Sequence, residues 1–253
     1  MPARHKPKDA AAGRGKPPLA GEALAVRKKR AAKILATLKK LYPDATCALH
    51  WSNPLELLIA TILSAQCTDE RVNMVTPTLF ARYKTAAEYA AASPADIEAI
   101  IQSTGFFRNK ARSIQAACRR IADQYAGKVP DTMEEILTLP GVARKTANVV
   151  LGTAYGRNEG IVVDTHVGRV AWRLGLTWTS RNTKDPIRTE QDLMQIIPRK
   201  DWTGFGHAMV LHGRYVCVAR NPRCRDCKLA PFCPSALNLA RPADGPGVRG
   251  DAD

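Results

Sequence analysis

At 253 residues, 45% of them hydrophobic, the chain can bury a core in one or two domains, and it lacks the run of about eighteen apolar residues that a membrane span needs. Its net charge is +15, of which +7 falls in residues 1–30 and +8 in the remainder; the excess is not an end effect, and an anionic polymer as partner and a plainly solvated basic surface both account for it. Seven cysteines is an odd number, and the basic N-terminus has no apolar stretch behind it to act as an export signal, which together argue against a disulfide framework and for a cytosolic or nucleoid-associated protein.

Residues 1–21 are rich in Lys, Ala, Gly and Pro and are expected to form a disordered basic tail. Asn53-Pro54-x-Glu56 is a capping arrangement with Pro at the first helical position. Behind it, Leu55, Leu58, Ile59, Ile62 and Leu63 repeat at the spacing of one buried helix face. Thr85-x-x-Glu88 and Ser93-x-x-Asp96 each resemble a capping box. Ile114, Ala117, Cys118, Ile121, Ala122 and Tyr125 define a long amphipathic helix that Gly127 stops. Asp131-x-x-Glu134 opens another, expected to run to about Thr138. No stretch alternates apolar and polar residues between hairpin turns, so no significant sheet is expected. Cys47, Cys67 and Cys118 lie in or beside apolar helical patterns and read as small buried hydrophobes. Residues 236–253 read as a second loose tail.

Leu139-Pro140-Gly141 is a tight turn, and a second helix follows from about Ala143. The backbone N–H groups of the turn and of that helix start, with the helix dipole, make an anion site that fits one phosphate. Lys145 lies in the first turn, where the dipole and Arg144 disfavour its ammonium form, as a nucleophilic lysine requires. On the residues alone an ordinary surface lysine or a phosphate contact is the commoner reading. Further on, Asp164 directly precedes a helix whose face is Val167, Val170, Ala171 and Leu174, so it can serve as an N-cap.

Cys217, Cys224, Cys227 and Cys233 are spaced C-x6-C-x2-C-x5-C. Four thiols in so short a segment suit either a tetrahedral zinc ion or a [4Fe–4S] cluster. A single C-x2-C with wide, unequal flanks favours the cubane, whose corners lie farther apart than ligands around one ion. Arg220, Arg223, Arg225 and Lys228 make the same segment basic, which suits phosphate contact or compensation of an anionic cluster.

Taken together, LPGVARKTANVVL, VDTHVGRVAWRLGL and LHGRYVCVARNPRCRDCKLAPFC resemble the endonuclease III family, and LLIATILSAQCTDERVN and STGFFRNKARSI fit it upstream. The resemblance covers roughly residues 26–235. It implies an all-α, two-lobed helix–hairpin–helix DNA glycosylase fold with a C-terminal [4Fe–4S] cluster loop and a cleft. One lobe would be a six-helix domain at residues 47–158 carrying the hairpin; the other, residues 22–46 with 159–235, would hold the cluster. By position Lys145 matches the family's nucleophile, Asp164 its catalytic aspartate and the four cysteines its cluster ligands. Gln66 and Phe106 match residues that enter the duplex where the damaged nucleotide leaves. Gly141, Ala143, Arg144 and His166 complete the expected DNA contacts. Ala143 stands where a second hairpin glycine is usual, and Phe106 where a leucine is familiar. Read without the resemblance, Gln66 and His166 can be surface residues on helix ends and Phe106 can be core.

The activity so implied is base excision repair by a bifunctional enzyme, a DNA N-glycosylase and abasic-site lyase, acting as a monomer on double-stranded DNA with damaged pyrimidines or abasic sites. Two alternatives are a monofunctional mismatch glycosylase of the same fold and a non-catalytic DNA-binding homologue. Lys145 argues against the first, because such relatives generally lack a lysine there.

Overall fold

The computed structural model describes residues 17–236. Among them are eleven α-helices, some short 3-10 turns and no strand. In chain order the helices are α1 (Leu24–Leu41), α2 (Pro54–Leu63), α3 (Asp69–Arg82), α4 (Ala86–Ala91), α5 (Pro94–Ile101), α6 (Phe107–Gln124), α7 (Met133–Ile136), α8 (Arg144–Ala154), α9 (Thr165–Arg173), α10 (Pro186–Ile196) and α11 (Trp202–Tyr215). The chain divides into two compact units, residues 44–162 with 199–207, and residues 1–43 with 163–198 and 208–253.

The unit of residues 44–162 and 199–207 is organised around α2. Asn53 caps it by accepting the Glu56 N–H at 3.0 Å, and the Glu56 carboxylate takes the Ser52 N–H and hydroxyl at 2.7 Å. Every residue from Leu57 to Leu63 is buried, as is Leu55. The expected single buried face is therefore exceeded: α2 is apolar on all sides because other helices surround it. It packs against α3, α6 and α8, while α6 also packs against α4 and α5. This unit carries α2 to α8, seven helices where six were expected, two of them only six and four residues long.

Helix starts differ from expectation at two places. Thr85 and Glu88 form the expected capping box. Ser93 makes no side-chain cap; the Asp96 N–H donates to the Ser93 carbonyl at 3.1 Å, and the Asp96 carboxylate pairs with Arg82 at 2.8 Å. Thr132, not Asp131, caps α7 by accepting the Glu135 N–H, and Asp131 pairs with Arg157 at 2.5 Å. That helix stops at Ile136, short of Thr138. On α6, Ile114, Ala117, Cys118 and Ile121 are buried as the pattern requires, Ala122 and Tyr125 only partly, and Lys110 is buried without any sequence signal. Its end is shared: Ala126 takes the left-handed conformation, and the Gly127 N–H closes onto the Ile121 carbonyl at 3.0 Å. Residues 199–207 join this unit rather than the other. The Asn158 carboxamide oxygen accepts both the N–H and the hydroxyl of Thr203, and Arg199 bonds the Asn158 carbonyl and the Glu159 carboxylate.

In the other unit α1 packs against α10, and α10 against α9. Arg27 is buried, lies over the Trp178 ring at 4.7 Å, and donates to the carbonyls of Gly175 and Leu19. The Leu19 contact corrects the expected tail: residues 17–21 form an ordered turn held by Arg27, while residues 1–16 lie outside the described residues. The buried Asp192 carboxylate accepts four hydrogen bonds from Thr177, Trp178 and Thr179, tying that turn to α10. Ala236 is buried and bonds back to Cys233, so the second tail cannot begin before 237, beyond which the chain is not described.

Candidate functional site

The hairpin sits in the unit of residues 44–162 and 199–207. Leu139 and Val142 are buried and anchor the turn, with the Val142 N–H donating to the Leu139 carbonyl at 3.1 Å. Gly141, Ala143, Arg144 and Lys145 are left on the outside. Gly141 is required twice: its φ is +78°, and a Cβ there would lie 2.7 Å from the Ser113 Cβ. Ala143 precedes α8 in extended conformation and offers no side-chain cap. The starts of α1, α5 and α6 also lack a side-chain cap, whereas Asn53, Thr68, Thr85, Thr132, Asp164 and Asp185 each cap their own helix. The first turn of any helix lacks internal acceptors for its N–H groups, and its dipole end is positive. The start of α8 therefore suits an external anion. Arg144 reaches the Glu159 carbonyl at 3.4 Å, and Lys145 is exposed on the first turn.

Gln66 and Phe106 belong to the same unit. Gln66 follows α2 with φ +52°, and Phe106 precedes α6 with φ +47°. Both side chains are exposed, Phe106 at 63%, which removes the core reading of that residue. They line one cavity together with Lys110, Ser113, Gly141 and Thr146. Three of the expected DNA contacts, Gln66, Phe106 and Gly141, are thus neighbours around one hollow, which Thr146, next in sequence to Lys145, also lines. Lys110 donates to the carbonyls of Leu63 and Thr104, both at 2.8 Å, and burial lowers its pKa.

Asp164 and the cysteines belong to the other unit, so Lys145 and Asp164 are held by different units. Asp164 is the N-cap of α9. Its Oδ1 accepts from the N–H groups of His166 and Val167, both at 2.8 Å. His166 is half-buried rather than exposed, with Nδ1 3.2 Å from Arg169. Arg169 then donates to the carbonyls of Cys217 and Gly213, and Arg173 to those of Val218 and Ala219 and to the Cys217 sulfur at 3.4 Å. These two arginines strap α9, and with it Asp164, to the first cysteine. Sequence reasoning missed them; their only trace is an Arg at i and i+4 on a helix with an apolar face.

Cys217, Cys224, Cys227 and Cys233 line one cavity with Arg173 and His212. All four are reduced, as are Cys47, Cys67 and Cys118. Cys118 is buried; Cys47 and Cys67 are only half-buried, short of the expected burial. Burial pushes the thiols of Cys224, Cys227 and Cys233 up, that of Cys233 to about 11. Four cysteines lining one hollow suit a positively charged group that stabilises thiolates. Among the described residues no three His, Cys, Asp or Glu side chains are grouped closely enough for a single metal ion. Burial also pushes His212 down to about 4, so its ring is neutral at pH 7. The Tyr42 hydroxyl meets Nδ1 at 3.2 Å and the Cys227 sulfur meets Nε2 at 3.6 Å. Arg220, Arg223, Arg225 and Lys228 stand exposed on the loop between the cysteines.

Residues 59–199 match the HhH-GPD superfamily of base excision DNA repair proteins. The chain is 58% identical to the endonuclease III of Synechocystis sp. over 213 residues, which is 84% of this chain and 95% of that one. A solved trapped covalent intermediate of endonuclease III with DNA superposes with a TM-score of 0.78 at 44% identity, covering 85% of this chain and 99% of that one. A thermostable thymine-DNA glycosylase superposes with a TM-score of 0.74 at 22% identity, covering 86% of this chain and all of that one, and shares the fold alone. The chain belongs to the endonuclease III family of the HhH-GPD superfamily.

Proposed function

We propose that this chain excises oxidised pyrimidines from duplex DNA and cleaves the abasic site it leaves, in the cytoplasm at the nucleoid and as a monomer. The observation that carries the reading is Lys145, exposed on the first turn of a helix whose N-terminus no side chain caps, in a chain of this family. The target base is stacked in the duplex and has to be flipped out before its sugar is reached. The hairpin amides hold a phosphate, and Phe106 and Gln66 fill the vacated space. Lys145, as free amine, attacks C1′ of the sugar; the bond from C1′ to the base breaks, and the base leaves with the electron pair and takes up a proton. Asp164 takes the proton that the lysine sheds and offsets positive charge on the sugar. The adduct opens to a Schiff base, which acidifies the C2′ proton. Loss of that proton breaks the C3′–O bond and releases the 3′ phosphodiester.

The reading is tested on a panel of duplexes carrying single lesions. Strand cleavage without alkali at oxidised pyrimidines is expected. Cleavage that appears only after alkali treatment would mark a monofunctional glycosylase instead.

The four cysteines would hold one [4Fe–4S] cluster, which supplies none of these steps and keeps the basic loop folded. Anaerobically purified protein should be brown and contain about four iron atoms per chain, the content of one such cluster. One zinc and no iron by metal analysis would overturn this assignment. Cys227→Ala should lose the colour and lower the melting temperature.

Ala143→Asp should act in two opposite directions. A carboxylate at the N-cap of α8 is expected to stabilise the fold by about 1 kcal/mol. The same group would occupy the amides and repel a phosphate, so duplex affinity at low salt should fall. Thermal melting and anisotropy titration read the two effects. Unchanged affinity would remove the start of α8 from the DNA interface.

A further inference from the structure

Lys110 is a cation at a core position of α6, 5% exposed, where helical periodicity calls for an apolar residue. Its ammonium is used at two helix ends. It donates to the carbonyl of Leu63, the last residue of α2, and to that of Thr104, the last residue of the 3-10 turn Gln102–Thr104, at 2.8 Å each. Carbonyls at such ends have no internal donor, and the negative end of the α2 dipole favours a cation there. The Lys110 backbone N–H also donates to the Phe106 carbonyl at 3.1 Å.

Just beyond these two anchored carbonyls lie Gln66 and Phe106. Each is in the left-handed region without being glycine, a conformation that persists only where the surroundings impose it. Both line the cavity that Lys110 also lines. We propose that Lys110 is the positioning residue of the duplex-entering pair: one buried ammonium ties the end of α2 to the end of the 102–104 turn, so that Gln66 and Phe106 are presented as a single rigid piece. This rests on the reading that Gln66 and Phe106 fill the duplex during flipping.

The test compares Lys110→Met, Phe106→Ala and the double variant in the full chain, well below their melting temperatures. Each is assayed on an oxidised pyrimidine in duplex and on a ready-made abasic site, which needs less unstacking. Lys110→Met should lose about tenfold on the first substrate and no more than about twofold on the second. Phe106→Ala should show the same selectivity, and the double variant should lose little beyond the larger single loss, because both changes break one device. Should Lys110→Met not fold, Lys110→Gln, which keeps a donor for one carbonyl, carries the same comparison. Equal losses on both substrates, no loss on either, or losses that multiply in the double variant would each overturn the proposal. A selective Phe106→Ala beside an unselective Lys110→Met sinks the positioning role alone. An unselective Phe106→Ala sinks the wedge reading, and the positioning role with it.

Discussion

Lys145→Gln is expected to abolish base excision, by at least about 10³-fold, and to remove the covalent adduct that borohydride traps on damaged DNA. Glutamine has a helix propensity close to that of lysine, so α8 should start at the same place. The exposed Lys145 anchors no buried contact, so the fold should melt at an unchanged temperature. The hairpin offers backbone N–H groups that the substitution leaves in place, so binding to damaged duplex should survive with a shallower dependence on salt at most. Loss of chemistry with retention of binding and stability is the pattern of a missing nucleophile. An adduct formed at the wild-type rate would instead move the nucleophile to another amine.

What the sequence reveals here depends on how far apart the interacting groups lie. The Asn53-Pro54 start, the Thr85–Glu88 box and the Leu139–Gly141 turn are legible because cap, turn and helix are neighbours in the chain. Even so, local reading slips by one residue at Thr132, where Asp131 and Thr132 are both good caps and the Arg157 ion pair decides which is used. Spacing singles out the four cysteines as a set, and all four residues line one hollow. Lys110, Arg169 and Arg173 are not legible, because their partners are backbone carbonyls distant in sequence. Every residue carries a carbonyl, so such a partner leaves no mark in the sequence. The Gly141–Ser113 contact is hidden in the same way; the turn explains the positive φ but not the 2.7 Å approach. The roles of Lys145 and Asp164 come from resemblance, since a first-turn lysine and an N-cap aspartate are each ordinary by themselves.

Asp164→Asn separates capping from catalysis. In the wild type one oxygen, Oδ1, takes both N–H groups of the first turn of α9. An asparagine keeps a carbonyl oxygen in that place and caps about as well, so stability should change by no more than about 0.5 kcal/mol. Asp164→Ala removes the acceptor and should cost about 1 kcal/mol as a lost cap. On the proposed mechanism the asparagine can neither take a proton from Lys145 nor offset charge on the sugar, so its turnover should fall by about 10²-fold or more. Alanine loses the same chemistry, and the two variants should therefore share a low rate while differing in melting temperature. The strap of Arg169 and Arg173 holds α9 to the Cys217 segment in both, so neither variant should loosen that segment. If the asparagine variant turns over at the wild-type rate while the alanine variant is both slow and unstable, the carboxylate is a cap alone, and the proton acceptor for Lys145 has to be another group.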